Sequence, residues 1–229
     1  MEKQTSLRDL AGRLKLLIFD LDGTLVDSSK PMGKAFNHTL KQMNVREFSR
    51  EETDSFIGTP LSDLFMNVMN RPGRDDIIEK CIRIYRKKYL EIFLDESYLY
   101  DGVAETIPGL ASRYRIALAT TKKTDIARMT LEHFKLIEHF ELILGFDSVA
   151  LPKPSPEIIN RTLHELKVKK EEALMIGDSI YDLKAASSAG VRSCIVSYGF
   201  DRLERLKLNR PDIMIDSFFE LQDLLWDRS

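Results

Sequence analysis

The sequence predicts an α/β protein built on a parallel, doubly wound sheet, with an all-helical segment inserted after the first strand. Short, continuous apolar runs occur at Leu16 to Phe19, Ile116 to Ala119, Leu142 to Leu144, Ala173 to Ile176 and Ile195 to Val196, with a weaker one at Ile213 to Ile215. Unbroken runs, unlike alternating ones, belong to strands covered on both faces. Between them lie stretches with helical spacing: Ile126, Met129, Leu131, Phe134 and Leu136, then Ile158, Ile159, Leu163 and Leu166, then Leu183, Ala186 and Ala189. Strand and helix in alternation give a parallel sheet with helices on its faces. Residues 28 to 100 break this rhythm, because they hold amphipathic patterns such as Ile78, Ile82, Tyr85, Tyr89 and Ile92 but no buried strand.

The first strand therefore runs into the insert, and the α/β pattern resumes near Asp101-Gly102. This divides the chain into a sheet domain, 1 to 27 with 101 to 229, and a helical domain, 28 to 100. The chain leaves and re-enters through neighbouring linkers, a geometry that suits a hinged lid. In the second half, Ser155 is placed to cap the helix that opens at Pro156, and Gly190 to stop the helix ending at Ala189.

At 229 residues, 43% of them hydrophobic, the chain can bury a real core. Thirty-four basic and thirty-six acidic residues nearly cancel, to a formal charge of -2. No global field then draws it to nucleic acid or an anionic membrane, and its partners must be read from a site. Cys81 and Cys194 lie far apart, Cys194 in an apolar run that suits a reduced, buried thiol, so a reducing cytoplasm is expected. The first fourteen residues are too charged for a secretory signal, and the apolar run after them is too short to span a bilayer.

Four polar clusters fall at the carboxyl ends of predicted strands, where open α/β sheets bind ligands. The first is Asp20-Leu21-Asp22-Gly23-Thr24-Leu25-Val26-Asp27-Ser28. Two carboxylates two residues apart at a strand end point roughly the same way, so one can attack while the other handles a proton. Gly23 permits the sharp exit, although Asp, Gly and Thr are also ordinary turn formers. The second is Ala119-Thr120-Thr121-Lys122, where a threonine can equally serve as a cap. The third is Leu151-Pro152-Lys153-Pro154-Ser155-Pro156-Glu157, whose prolines hold Lys153 extended and limit where its ammonium points. The fourth is Gly177-Asp178-Ser179-Ile180-Tyr181-Asp182, in which Ser179 can also cap the next helix with Asp182 reaching back.

In this order the four clusters resemble the signatures of the haloacid dehalogenase-like hydrolases, and the insert sits where members with a small helical cap carry it. The resemblance implies a Rossmann-like sheet with the Asp20 strand central and a magnesium-dependent phosphatase acting through an aspartyl phosphate. It places the nucleophile at Asp20 and the general acid/base at Asp22, with Thr120 holding the transferring phosphoryl group and Lys153 neutralising it. Magnesium is expected on the Asp20 carboxylate, the Asp22 carbonyl and Asp178, with Asp182 orienting the site through bound water. Related sequences often carry Asn where this one has Thr121, which leaves its contact with substrate open.

The insert looks most like those of the phosphoglycolate phosphatase and pyrophosphatase branches. Its turn at Gly58-Thr59-Pro60-Leu61 is expected to reach the substrate, a small phosphate ester. Arg71 and Arg74 offer a second anion site or are solvated turn residues. The run Arg83, Arg86, Lys87 and Lys88 reads as a solvated helix face, the four histidines show no ligand spacing, and Trp226 reads as packing. A sugar-phosphate mutase of the β-phosphoglucomutase type and an inorganic pyrophosphatase would share every motif. An inactive binding module would not need the full set.

Overall fold

The structure is a computed structural model that describes residues 12–54, 57, 61–69 and 75–225. The chain divides into two compact units, one formed by the chain up to Val26 and from Leu99 onward, the other by Asp27–Tyr98. Two-residue strands, β2 (Val26–Asp27) and β3 (Tyr98–Leu99), pair where the chain passes from one unit to the other.

The first unit is a six-stranded sheet of β1 (Leu16–Phe19), β4 (Arg115–Ala119), β5 (Leu142–Leu144), β6 (Ala173–Gly177), β7 (Arg192–Val196) and β8 (Ile213–Ile215). The order is β5-β4-β1-β6-β7-β8, and every neighbouring pair is parallel. The expected strands all form. β4 and β7 start earlier than their apolar runs because polar residues at the amino ends of these strands are satisfied there: Arg115 pairs with Glu141, and the Ser193 N–H and hydroxyl both donate to Asp212 Oδ2 at 2.9 Å.

Each run is unbroken because its two faces enter different cores. Leu17, Phe19, Ile116, Leu118, Leu174 and Ile176 join one cluster, with Val103, Ile107 and Leu110 of α5 (Val103–Ala111), Ala127 and Leu131 of α6 (Thr124–His133), and Phe218 and Leu221 of α10 (Phe218–Leu225). Leu16, Ile18, Ala117, Ala119, Ala173 and Met175 join the other, with Ile158 and Ile159 of α7 (Glu157–Leu166) and Ala185 and Ala186 of α8 (Ile180–Ala189). α9 (Leu203–Leu208) packs through Leu206 on Ile195. Helices on both faces make the fold doubly wound.

Two local expectations need correction, and a third, the stop at Gly190, holds. Pro156 precedes α7 instead of opening it, while the Glu157 N–H donates to Ser155 Oγ at 3.3 Å. Met129 is 42% exposed, because α6 turns Ala127, Thr130 and Leu131 inward. Gly190 ends α8 at φ +70°, as its lack of a Cβ allows.

The second unit holds α1 (Ser29–Gln42), α2 (Arg50–Asp54), α3 (Leu61–Met69) and α4 (Asp75–Glu96). Ile78, Tyr85 and Tyr89 of α4 face its core as expected, joined by Cys81 and Phe93 in place of Ile82 and Ile92. Aromatic rings run through that core from Phe36 to Phe65 (5.3 Å), Tyr85 (6.2 Å), Tyr89 (5.9 Å) and Phe93 (5.3 Å). Arg83, Arg86 and Lys87 are exposed. Both cysteines are free and buried, with burial pushing the Cys194 thiol up to about 12. Among the described residues, no helix is long and apolar enough to cross a membrane.

Phe218 is fully buried with its ring 6.0 Å from that of Phe19, the last residue of the central strand. Phe218→Ala should therefore lower unfolding free energy by about 3–5 kcal/mol in urea titrations, the cost of a large cavity. A loss below about 1 kcal/mol would show that α10 does not anchor this face.

Candidate active site

In this strand order β1 connects outward to β4 on one side, while β6 begins the run to the other side. The crevice of such a sheet lies where the direction reverses, at the carboxyl ends of β1 and β6. Asp20 is the first residue beyond β1, and its N–H donates to Ile176 O in β6 at 2.9 Å. Asp178 is the first residue beyond β6. The two carboxylates thus lie side by side because their strands are paired neighbours.

Lys153 enters from the Pro-Lys-Pro segment with its side chain only 1% exposed. Its ammonium lies 2.9 Å from Asp20 Oδ1 and also bonds Asp182 Oδ1. The other oxygen of Asp182 accepts from the Ser179 N–H (3.1 Å) and hydroxyl (2.5 Å), while Asp182 N–H donates back to Ser179 Oγ at 3.3 Å. The expected capping box therefore forms, and the same carboxylate orients Lys153. One residue serves both purposes.

Asp178 Oδ2 accepts the Phe200 N–H at 2.8 Å, and Thr24 Oγ1 donates to Oδ1 at 3.4 Å. Tyr198 donates from its hydroxyl to Thr24 O at 2.9 Å. Glycines make this proximity possible. Gly23 has φ +87°, and a Cβ there would lie 2.1 Å from Asp178 Oδ2; a Cβ on Gly199 would lie 2.2 Å from the Asp178 Cβ. Neither position can accept a side chain without moving the carboxylate.

Thr120 is buried at the end of β4, its N–H donating to Leu144 O at 3.0 Å and its hydroxyl accepting from Lys122 N–H at 3.1 Å. Thr121 is exposed. Asp22 is not in the buried carboxylate group: its two oxygens lie 2.7 and 2.6 Å from Lys122 Nζ. Gly58, Thr59, Arg71, Arg74 and Trp226 lie outside the described residues. Sequence reasoning gave no role to Lys122, Thr24 or Phe200. Lys122 and Thr24 sit within motifs already singled out, whereas Phe200 contributes a backbone N–H that no residue type announces.

Asp20, Asp178 and Asp182 each offer a carboxylate oxygen within 4.8 Å of the others, all buried. Burial raises Asp20 to about 6, with Asp182 adding to the effect and Lys153 opposing it. Burial, then the Asp182 and Asp20 charges, hold Asp178 well above the ordinary carboxylate range. Burial alone would lower Lys153, but Asp182 and Asp20 raise it instead. Fully ionised, three carboxylates against one ammonium would leave two negative charges in excess, and burial together with this repulsion raises Asp20 and Asp178. Asp20 Oδ1, although at ion-pair distance from Lys153, meets no donor in hydrogen-bonding geometry among the described residues. An all-oxygen donor set with this excess charge fits a hard divalent cation such as magnesium.

The profile of the family described as haloacid dehalogenase-like hydrolase matches residues 17–196, from the first strand of the sheet through β7. The chain belongs to the haloacid dehalogenase-like hydrolases. A protein named pyrophosphatase PpaX from Bacillus cereus is 32% identical over 93% of this chain and 97% of its own. Among solved structures, a haloacid dehalogenase-like hydrolase from Streptococcus pneumoniae superposes with a TM-score of 0.84 at 27% identity, covering 94% of this chain and 100% of that one. A protein described as a predicted phosphoglycolate phosphatase from Haemophilus somnus superposes at 0.86 with 29% identity, over 93% and 99% of the two chains. The Rossmann-like sheet seen here is thus the fold of this hydrolase family.

The raised carboxyls give a signed expectation. An acid whose folded pKa lies above its unfolded value binds a proton more readily when folded, so it costs stability as pH rises through that window, here from about 4 to about 6 for Asp20. A divalent cation competes with those protons. The Tm increase on adding magnesium should therefore be larger at about pH 7 than at about pH 5. An increase of equal size at both, or none, would count against a cation among these carboxylates.

Proposed function

We propose that this hydrolase is a magnesium-dependent phosphatase that transfers the phosphoryl group of a small phosphate ester to Asp20 and then to water. The observation that carries the reading is Lys153, a fully buried ammonium shared by Asp20 and Asp182 beside Asp178. Phosphoryl transfer asks little of a protein beyond positioning and charge compensation, and a buried cation against a buried nucleophile supplies both.

In this reading a carboxylate oxygen of Asp20 attacks phosphorus as the bond to the leaving oxygen breaks. Covalent capture splits one difficult displacement into two easier ones. Asp22 delivers a proton to a departing alcohol and later takes one from the water that attacks the aspartyl phosphate. Lys153 and the Thr120 hydroxyl offset charge on the phosphoryl oxygens. Asp182 holds Lys153 in place through the bond already described, and Ser179 holds Asp182. Asp20, Asp178 and the Asp22 carbonyl would hold magnesium, which when bound lowers the charge repulsion between nucleophile and phosphate.

For the substrate we propose a small phosphate monoester of the phosphoglycolate kind, with Gly58, Thr59 and Thr121 assigned to its binding. Inorganic pyrophosphate is the second reading, favoured by the name of the Bacillus cereus relative and its near-full coverage. The Haemophilus somnus structure favours the first.

Asp20→Asn should abolish turnover while leaving the fold intact, since the amide is nearly isosteric but a poor nucleophile and Lys153 keeps its bond to Asp182. Lys153→Met should cost roughly 3 kcal/mol in kcat/KM, as removal of one preorganised electrostatic group does. Chelation should silence the protein and magnesium restore it, with calcium a poor substitute because of its longer, less regular coordination. Activity retained by Asp20→Asn, or full activity in a chelator, would refute the reading.

A further inference from the structure

Lys122 is the second lysine at the strand ends, and the mechanism above gives it no task. Its side chain is 7% exposed, and its ammonium lies 2.7 and 2.6 Å from the two carboxylate oxygens of Asp22, itself 15% exposed. A surface ion pair at such distances would carry little weight. This one is nearly dry, it grips both oxygens, and the carboxylate it grips is the group that must move a proton.

The loop that carries Lys122 is also built to hold it. Its N–H donates to Thr120 Oγ1 at 3.1 Å, and its carbonyl accepts from Phe146 N–H at 3.1 Å. Gly145 lies against that carbonyl so closely that a Cβ would sit 2.5 Å from Lys122 O and 2.4 Å from Thr124 N. Asp147 Oδ1 then accepts from both the N–H (2.9 Å) and hydroxyl (2.7 Å) of Thr124. Hydrogen bonds thus hold the backbone on both sides of the lysine.

We infer that Lys122 is a specificity-determining residue: it holds Asp22 until an anionic group on the leaving group takes its ammonium, which frees Asp22 to protonate the departing oxygen. While Lys122 bridges both oxygens, Asp22 cannot present one to the leaving group. A substrate with a carboxylate or phosphate next to the scissile bond offers the ammonium an equivalent partner, so the exchange costs little. A neutral alcohol offers none, and the pair must be broken without compensation. The binding energy of the remote anion is used at the reacting centre, where it raises kcat/KM for anionic leaving groups alone. Protons balance: Asp22 takes one from solvent as the pair opens and gives it to the leaving oxygen, and the one it then takes from the water that hydrolyses the aspartyl phosphate returns to solvent when Lys122 closes on the carboxylate again. The inference rests on the phosphatase reading and narrows its substrates to those whose leaving group carries its own charge.

The test compares kcat/KM for phosphoglycolate and for pyrophosphate with kcat/KM for hydroxyethyl phosphate, a neutral analogue of the first, in magnesium-loaded wild type, Lys122→Met, Lys122→Arg and Gly145→Ala. Wild type should prefer the anionic substrates, and Lys122→Met should lower that preference by about tenfold or more, the scale of one lost charge contact. Lys122→Arg keeps the charge and should retain most of the preference. Gly145→Ala replaces no charged group but displaces the Lys122 carbonyl and the Asp147 carboxylate that holds Thr124, and should lower the preference in the same direction. If Lys122→Met and Gly145→Ala depress every substrate by one common factor, within about twofold, the inference is overturned and the phosphatase reading stands. If wild type hydrolyses none of the three, the phosphatase reading fails and takes the inference with it.

Discussion

Lys153 and the three carboxylates around it set conditions that most of the sheet unit serves. Burying an ammonium or a carboxylate without a partner is costly, and removing one member of a buried pair leaves the other uncompensated. Here the ammonium is shared between Asp20 and Asp182, Asp182 is closed off by Ser179, and Asp178 is held by the Phe200 N–H. The partners come from separate segments: Asp20 from the end of β1, Lys153 from its proline-flanked loop, Asp178, Ser179 and Asp182 from the segment that follows β6, and Phe200 from the loop after β7. The cluster can exist only if β1 and β6 are adjacent and parallel, which the register Phe19 to Ile176 provides. It also needs a chain turn at Gly23 tight enough to pass the Asp178 carboxylate.

The same requirement explains where hydrophobic burial is concentrated. β1 is completely excluded from solvent, and its residues alternate between the two cores on either side of the sheet. A strand gripped on both faces is a rigid base for Asp20, and the nucleophile proposed there would be held in the narrow geometry that in-line attack demands. The charge excess left by three carboxylates and one lysine is a cost to the metal-free fold. A bound divalent cation would turn that cost into affinity.

The strands of the sheet and the carboxylates gathered at their ends were legible because each rests on a strong local pattern. Leu16 to Phe19 reads as a strand covered on both sides, and carboxylates directly after such runs at Asp20 and Asp178 stand out. What could not be read was tertiary. The inward face of α6 falls on Ala127 and Thr130 because neighbouring elements, and not the helix's own most apolar residues, decide which side is covered; Met129 is left outside. Cys81 and Phe93 displaced Ile82 and Ile92 in α4 for the same reason. The Phe200 N–H on Asp178 is a backbone contact with no residue signature. Lys122 stood within a motif, but only the distance to Asp22 gives it meaning.

The proposed mechanism turns on phosphorus becoming bonded to Asp20. Acid quenching of the magnesium-loaded protein within a single turnover, followed by peptide mapping by mass spectrometry, measures this directly. A phosphoryl group on the peptide that carries Asp20, absent from Asp20→Asn, is the predicted result. Product release with no phosphorylated protein at any quench time, or a phosphoryl group on a residue other than Asp20, would contradict it.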